Sequence, residues 1–257
     1  MKYINYEVQN RIGYITLNRP EKRNALSHDM VTELKEVFTM AEKDDSAKVI
    51  VLKANGEAFC AGADLEYLKL LEGFSYEQNF ADSTHLKELF LQIYTLKKVV
   101  IAQIQGHALA GGCGLATVCD FSFAVPEANF GYTEVRIGFI PAIVMVFLIR
   151  KIGEANARAL LLSGSLCTAH EAQEMGLISE VMNAEDLALE VADFATQIVE
   201  SNSAYSMSVT KQMIAKVQSL PLEEALDFAA EMNAKARSSE DCKRGISAFL
   251  NKEKLTW

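Results

Sequence analysis

What the sequence is short of narrows its options first. Its five cysteines, Cys60, Cys113, Cys119, Cys167 and Cys242, are odd in number and include no Cys-x-x-Cys pair. That argues against a disulfide framework and against a zinc site, and it fits a reducing compartment. No metal is expected. Residues Met1 to Glu7 lack an apolar h-region, and the longest apolar run, Ile140 to Ile149, is too short to span a bilayer. A cytoplasmic protein with no membrane partner is expected. Positive charge is also scarce: the formal net charge of -9 argues against nucleic acid or an anionic membrane as a general partner, while allowing a local basic pocket for one small anion. No linker, low-complexity tract or fixed-period repeat interrupts the 257 residues. With 50% hydrophobic and 23% charged residues, the chain can bury a sizeable core as one large domain or two small ones.

The chain is organised around Gly106 to Asp120. Lys98 to Ile104 is a β-branched run of strand length, and after Gly112 the pattern becomes a short helix of small residues. This is strand, glycine turn, helix. The unpaired amides of a first helical turn point outward at the positive end of the helix dipole, which suits an anion. No Lys-Ser/Thr follows as a phosphate loop requires, and Gly112 to Thr117 lacks the last glycine of a dinucleotide fingerprint. Two readings remain: donors for a developing oxyanion, or a close contact between helix and strand that glycine permits.

In chain order, Tyr3 to Val8 and Gly13 to Asn18 form a hairpin turning near Asn10-Arg11. Ser27 caps a helix whose inward face carries Met30, Val31, Leu34, Val37, Phe38 and Ala41. Lys48 to Ala54 reads as a central strand leading into Gly56 to Leu65, a second strand, glycine turn, helix unit. Two such units can aim two backbone amides at one oxygen. Leu68 to Leu96 is helical but interrupted at Gly73 to Tyr76; it holds Asp82, His85, Lys87 and Glu88, with His85 read as a surface residue. His107 is read as structural, Cys119 to Val125 as a buried strand, and the chain as helical from Gly153. Thr168 to Glu171 is a capping box that places His170 on a surface first turn. Helices follow over Ala184 to Ser201, Ala204 to Gln218 and Pro221 to Arg237.

Six short motifs then occur in order: Asn18-Arg19-Pro20, Asn24-Ala25-Leu26, Phe59 to Leu65, Gly106-x-Ala108-x-Ala110-Gly111-Gly112, Cys119-Asp120 and Phe130-Gly131-x-x-Glu134. Together they resemble the enoyl-CoA hydratase/isomerase (crotonase) superfamily, in register from the hairpin to Ser247-Ala248-Phe249-Leu250. The resemblance implies an α/β fold, a spiral of β-β-α units over residues 1–195 with the acyl-CoA site, and a helical oligomerisation region over 196–257 of the same functional unit. It also implies a homotrimer or dimer of trimers. Coenzyme A would be part of the substrate, with no further cofactor.

Residue by residue, the resemblance assigns the oxyanion amides to Ala63 and Gly111 and the catalytic acid/base to Glu134. It lays CoA along Asn24, Ala25 and Leu26 and along Cys60, Ala61, Gly62, Asp64 and Leu65. Lys22, Arg23, Lys252 or Lys254 would meet its phosphates, the last two from a neighbouring subunit if not from their own. Leu68, Tyr132, Pro141 and Ile143 would line the acyl pocket. A glutamate in an apolar acyl pocket would have its pKa raised by desolvation, which suits proton transfer near neutrality.

Two departures from the family pattern bear on activity. Gly114 stands where hydratases carry a second glutamate, and Ala142 to Phe147, often glycine-rich in the family, is bulky and apolar. Both take polar or open space from the place of a catalytic water. The expected activity is therefore single-glutamate double-bond migration on an enoyl-CoA through an oxyanion-stabilised enolate. The alternatives are an enoyl-CoA hydratase that takes its second acid from residues 68–96, acting on a branched or carboxylated (methylglutaconyl-type) enoyl-CoA, and a catalytically idle CoA-binding or RNA-binding relative. The acidic balance argues against RNA.

Overall fold

Asn10 and Arg11 lie at φ 53° and 64°, the positive values a two-residue hairpin loop needs to match strand twist. They join β1 (Ile4–Gln9) to β2 (Ile12–Leu17), with Ile4 opposite Leu17 and Gln9 opposite Ile12. The computed structural model describes residues 1–257. In it β2 pairs in parallel with β3 (Val49–Ala54), β3 with β4 (Val99–Ile104), β4 with β6 (Phe121–Ala124) and β6 with β9 (Glu180–Val181). Val49 to Leu52 are fully buried, as expected of a parallel strand covered on both faces.

A second, smaller sheet runs alongside: β5 (Ala108–Leu109), β7 (Asn129–Gly131) and β8 (Leu166–Thr168). Isolated bridges extend it, Cys60 to Ala108 and Ala63 to Leu26. Each turn of the chain thus runs from a strand of the large sheet to a strip of the small one and then to a helix. The first turn ends in α1 (His28–Lys43), the second in α2 (Leu65–Leu71) and α3 (Tyr76–Thr95), the third in α4 (Gly111–Val118), and the fourth in α5 (Ala142–Ser163). This is the expected spiral. Ser27 Oγ accepts from the Met30 amide at 3.3 Å, and the six apolar residues expected on the inner face of α1 are those it buries.

The helix expected from Gly153 starts earlier. Pro141 occupies the N-cap of α5, the apolar residues 142–147 are its first turns, and Gly153 (φ 74°, ψ 163°) breaks it midway. The capping box of Thr168 and Glu171 opens α6 (Ala169–Glu174) as expected. Four helices follow, α7 (Leu187–Ser201), α8 (Ala204–Val217), α9 (Leu222–Arg237) and α10 (Glu240–Asn251). α8 buries only Lys211, α9 buries nothing, and α10 buries only Ala248. Leu222, Leu226, Ile246, Phe249 and Leu250 are left exposed. No helix is long and apolar enough to cross a membrane.

Candidate active site

Register brings the two proposed amide donors together. The Cys60 amide donates to His107 O at 3.2 Å, and the Leu109 amide to Cys60 O at 3.0 Å, so Cys60 lies beside Ala108. Three residues further on along the two strips come Ala63 and Gly111, with a Cβ on Gly62 falling 2.9 Å from Ala110 Cβ. Glycine is required where α4 presses on this strip, because a Cβ at Gly112 would fall 2.2 Å from Cys60 O. On the other side of the strip, the Leu26 amide donates to Gly62 O at 2.7 Å and the Asp64 amide to Leu26 O at 2.9 Å. In a parallel pair the residue between those two bonds turns its own N–H away from the partner strand. Ala63 therefore points its amide away from Leu26, and that N–H has no acceptor in the chain. The Gly111 amide, at the first position of α4, has none either.

Ala110 orients the second donor. It holds φ 48° and ψ -121°, a conformation that disfavours a side chain, and its amide donates to Gly131 O at 2.8 Å. At the far end of α4, Lys151 Nζ donates to Cys119 O at 2.9 Å, Thr117 O at 3.1 Å and Ala116 O at 3.4 Å. One end of the helix is thus closed by a buried cation, while the end at Gly111 stays open.

β7 runs parallel to β5, with Gly131 beside Leu109, and three residues later Glu134 opens a 3-10 turn. Glu134 is half-buried, and its Oε2 is buried without a hydrogen-bond partner. Desolvation raises its pKa above the ordinary 4.5, opposed by a bond from its own amide. The strips ending at Ala63, Gly111 and Glu134 lie side by side. Two unpaired amides and an unpaired carboxylate can together polarise a carbonyl and move a proton on the adjoining carbon.

The place expected for a second glutamate is closed. A Cβ on Gly114 would lie 2.5 Å from Val144 Cγ1 and 3.1 Å from Phe90 Cζ. Val144, in the first turn of α5, and Phe90, from α3, are both buried there. Three of the nearby acids have partners of their own. Glu88 pairs with Lys35 at 2.7 Å, Glu66 with Lys22 at 2.8 Å, and Asp82 accepts from the Tyr67 hydroxyl.

The remaining residues divide. Asn24, Ala25 and Leu26 lie beside the 60–64 strip, but the Asn24 side chain is spent on Asn55 O at 2.8 Å and Ala58 O at 2.9 Å. Its contribution to a ligand is backbone. Cys60 is fully buried, with its thiol pushed up to about 12 by burial, so it too offers only backbone. Ala61 and Gly62 lie on the same strip, and Leu65 is 75% exposed at its outer end. Lys22 and Arg23 are exposed on the rim. Leu68 and Ile143 are half-buried and Pro141 is buried at the start of α5.

Two expectations need correction. Tyr132 is fully buried, with its hydroxyl 2.8 Å from Thr117 Oγ1, so it belongs to the core behind the site and not to an acyl wall. At Asp64 the backbone alone is left for a ligand, because the carboxylate caps α2, accepting from the Glu66 and Tyr67 amides at 2.8 and 3.1 Å, and pairs with Arg19 at 2.6 Å. Lys252 lies at the wrong end of its own subunit. Arg11 Nη1 donates to Trp257 O at 2.7 Å and Ser203 Oγ to Asp241 Oδ2 at 2.5 Å, which ties α10 to the N-terminal ends of the parallel strands. Val144 belongs to the bulky run that the sequence marked as taking space from the water, while Phe90 and the role of Arg19 were missed. Arg19 lay inside a quoted motif, whereas nothing local marks Phe90. A cavity of about 680 Å³, lined in part by Thr117, Lys211 and Trp257, lies at the opposite end of α4 from these groups.

Comparison with known proteins agrees with this geometry. The sequence profile of the family "Enoyl-CoA hydratase/isomerase" matches residues 7–257. The chain is 39% identical over 241 residues to the "Putative enoyl-CoA hydratase" of Thermus thermophilus, covering 94% of this chain and 95% of that one. It is 34% identical over 247 residues to the 2,3-dehydroadipyl-CoA hydratase of Escherichia coli, covering 95% and 94%. The crystal structure of an enoyl-CoA hydratase/isomerase from Marinobacter aquaeolei superposes with a TM-score of 0.91 at 32% identity, covering 99% of this chain and 98% of that one. With two in-register amides and a desolvated glutamate on that fold, the chain belongs to the enoyl-CoA hydratase/isomerase family.

Proposed function

We propose that the protein moves a double bond along an enoyl-CoA by proton transfer through one carboxylate. Glu134 in its ionised form takes a proton from the α carbon of a 3-enoyl-CoA. The C–H electrons pass into the thioester, giving a dienolate whose oxygen lies between the Ala63 and Gly111 amides. The Glu134 carboxylic acid then returns the proton to the γ carbon, and the product is the 2-enoyl-CoA. The observation that carries this reading is the closeness of Val144 and Phe90 to Gly114, which leaves no room for a side chain at that position.

Hydration is the second reading, favoured by the names of the relatives. It needs another acid, and Glu66, Asp82 and Glu88 are all engaged. Incubation of the purified protein with 3-enoyl- and 2-enoyl-CoA in deuterated water separates the two. Migration with solvent deuterium at the α or γ carbon, faster than water addition, is expected. Efficient hydration of the 2-enoyl-CoA with no migration of its isomer would overturn the proposal.

The functional assembly is a trimer or a dimer of trimers. The exposed apolar residues of α9 and α10 support a contact between subunits. In such an assembly Lys252 or Lys254 would reach the CoA phosphates of a neighbouring subunit, joining Lys22 and Arg23 there.

A further inference from the structure

Arg19 is largely buried at the end of β2, between the two strips along which CoA is expected to lie. Its Nη1 is 2.6 Å from Asp64 Oδ2, with the two side chains only 11% and 4% exposed. The same nitrogen donates to Ala25 O at 3.4 Å, and the Arg19 amide donates to Asn24 Oδ1 at 2.9 Å. The guanidinium also lies 5.1 Å from the centre of the Tyr3 ring. One side chain from the end of β2 therefore links the 24–26 strip to the 60–64 strip, beside the peptide that presents Ala63.

Every other constraint on that peptide is backbone. Ala63 is held on one face by the bonds of Gly62 and Asp64 to Leu26, and its own N–H has no partner. What remains to set its tilt is Asp64, whose two oxygens have separate tasks. Oδ1 caps α2 and Oδ2 meets Arg19. Burial pushes the Asp64 carboxyl up, but the two α2 amides and Arg19 outweigh it and hold the group below its ordinary value. Without the guanidinium, a buried carboxylate would lose its counter-charge and turn toward water, carrying the adjacent Ala63 peptide with it. Both contacts come from Nη1 at the tip of a rigid planar group, and the shorter, freely rotating lysine side chain would not hold an ammonium at that point.

We infer that Arg19 is a positioning residue for the oxyanion site, holding the Ala63 amide on the thioester oxygen through Asp64 and Ala25. The inference rests on the reading of Ala63 as an oxyanion donor.

The test uses the intact protein with crotonyl-CoA carrying ¹³C at the thioester carbonyl, and reads the carbonyl stretch by isotope-edited infrared spectroscopy. Native protein should shift the band to lower frequency than in free crotonyl-CoA. In Arg19→Lys and Asp64→Asn, at least half of that shift should be lost. Migration turnover should fall about 10- to 100-fold, part of what removal of a whole donor costs, with KM nearly unchanged. Asn is itself a good N-cap, so Asp64→Asn keeps α2 capped and carries the measurement should Arg19→Lys not fold. A native-sized band shift in the folded variants, whatever their melting temperatures, would overturn the role of Arg19 alone. Absence of any shift in the native protein would remove the oxyanion reading and this inference with it.

Discussion

Replacing Gly114 by glutamate should fail as a single substitution and succeed only after Val144 is cut back. The new Cβ alone would meet Val144 Cγ1 at 2.5 Å, far inside contact distance, with Phe90 Cζ at 3.1 Å behind it. Overpacking of this kind costs about 1–3 kcal/mol. Burying a carboxylate among these apolar side chains adds to that, so a total of at least about 3 kcal/mol is expected. For a chain of this size that corresponds to a melting temperature lower by roughly 6–12 °C. Val144→Ala alone removes two methyl groups from a buried side chain and should cost about 2 kcal/mol. In the double variant the carboxylate takes the vacated space, so the two losses should fall short of their sum by about 1 kcal/mol or more. Differential scanning calorimetry of the four proteins gives this coupling. Hydration relative to double-bond migration, followed by chromatography of the CoA products, should rise only in the double variant. A Gly114→Glu single variant that melts with the native protein and hydrates efficiently would refute the closure of this position by Val144.

Glu134→Gln should lower turnover by about two to four orders of magnitude, with CoA-thioester affinity nearly intact, which stopped-flow assays and calorimetry would show. Its stability should also depend on pH in a defined direction. The folded-state pKa of Glu134 is raised by desolvation, so its contribution to stability is present below the ordinary 4.5 and is lost as pH rises through the raised value. The Gln variant should therefore match the native protein in denaturant titrations at acid pH and gain on it toward neutrality; a constant difference would refute the desolvation. Ala110→Gly should stabilise the chain by about 1 kcal/mol, because glycine accepts a positive φ without strain; an unchanged or lower melting temperature would show Ala110 to be relaxed. Light scattering should give at least three times the 28.4 kDa subunit mass, and a monomer would contradict the trimer.

Periodicity and capping residues carried much of the fold in the sequence. Ser27 and the spacing of apolar residues to Ala41 define α1, and the β-branched runs at Val49 and Val99 define central strands. These signals are local, and each element satisfies them within its own residues. The site was legible through its glycines, since Gly112 leaves room for the approach of the 60–63 strip. What could not be read were side chains whose roles depend on distant partners. Phe90 acquires its role only when α3 meets α4, and the Asp64 side chain acquires its own only when Arg19 meets it. The place of Lys252 within its own subunit is likewise set by a distant partner, since Arg11 holds the chain end at Trp257. The start of α5 was obscured because Pro141 followed by an apolar run fits a loop wall as well as a helix.

The lysine that closes the far end of α4 has a consequence for how the protein should respond to ionic strength. Lys151 reaches Ala116, Thr117 and Cys119 from the wall of the 680 Å³ cavity, but the eight-residue helix between it and Gly111 is almost entirely buried. Mobile ions screen charges in solvent, over about 8 Å at physiological strength, and enter such an interior poorly. The field that would stabilise an enolate at Gly111 is therefore shielded from salt. Lys22 and Arg23, in contrast, lie exposed on the rim where the CoA phosphates are proposed to dock. Raising salt should weaken capture of the substrate and leave the proton-transfer step alone, so KM would climb while kcat stays flat.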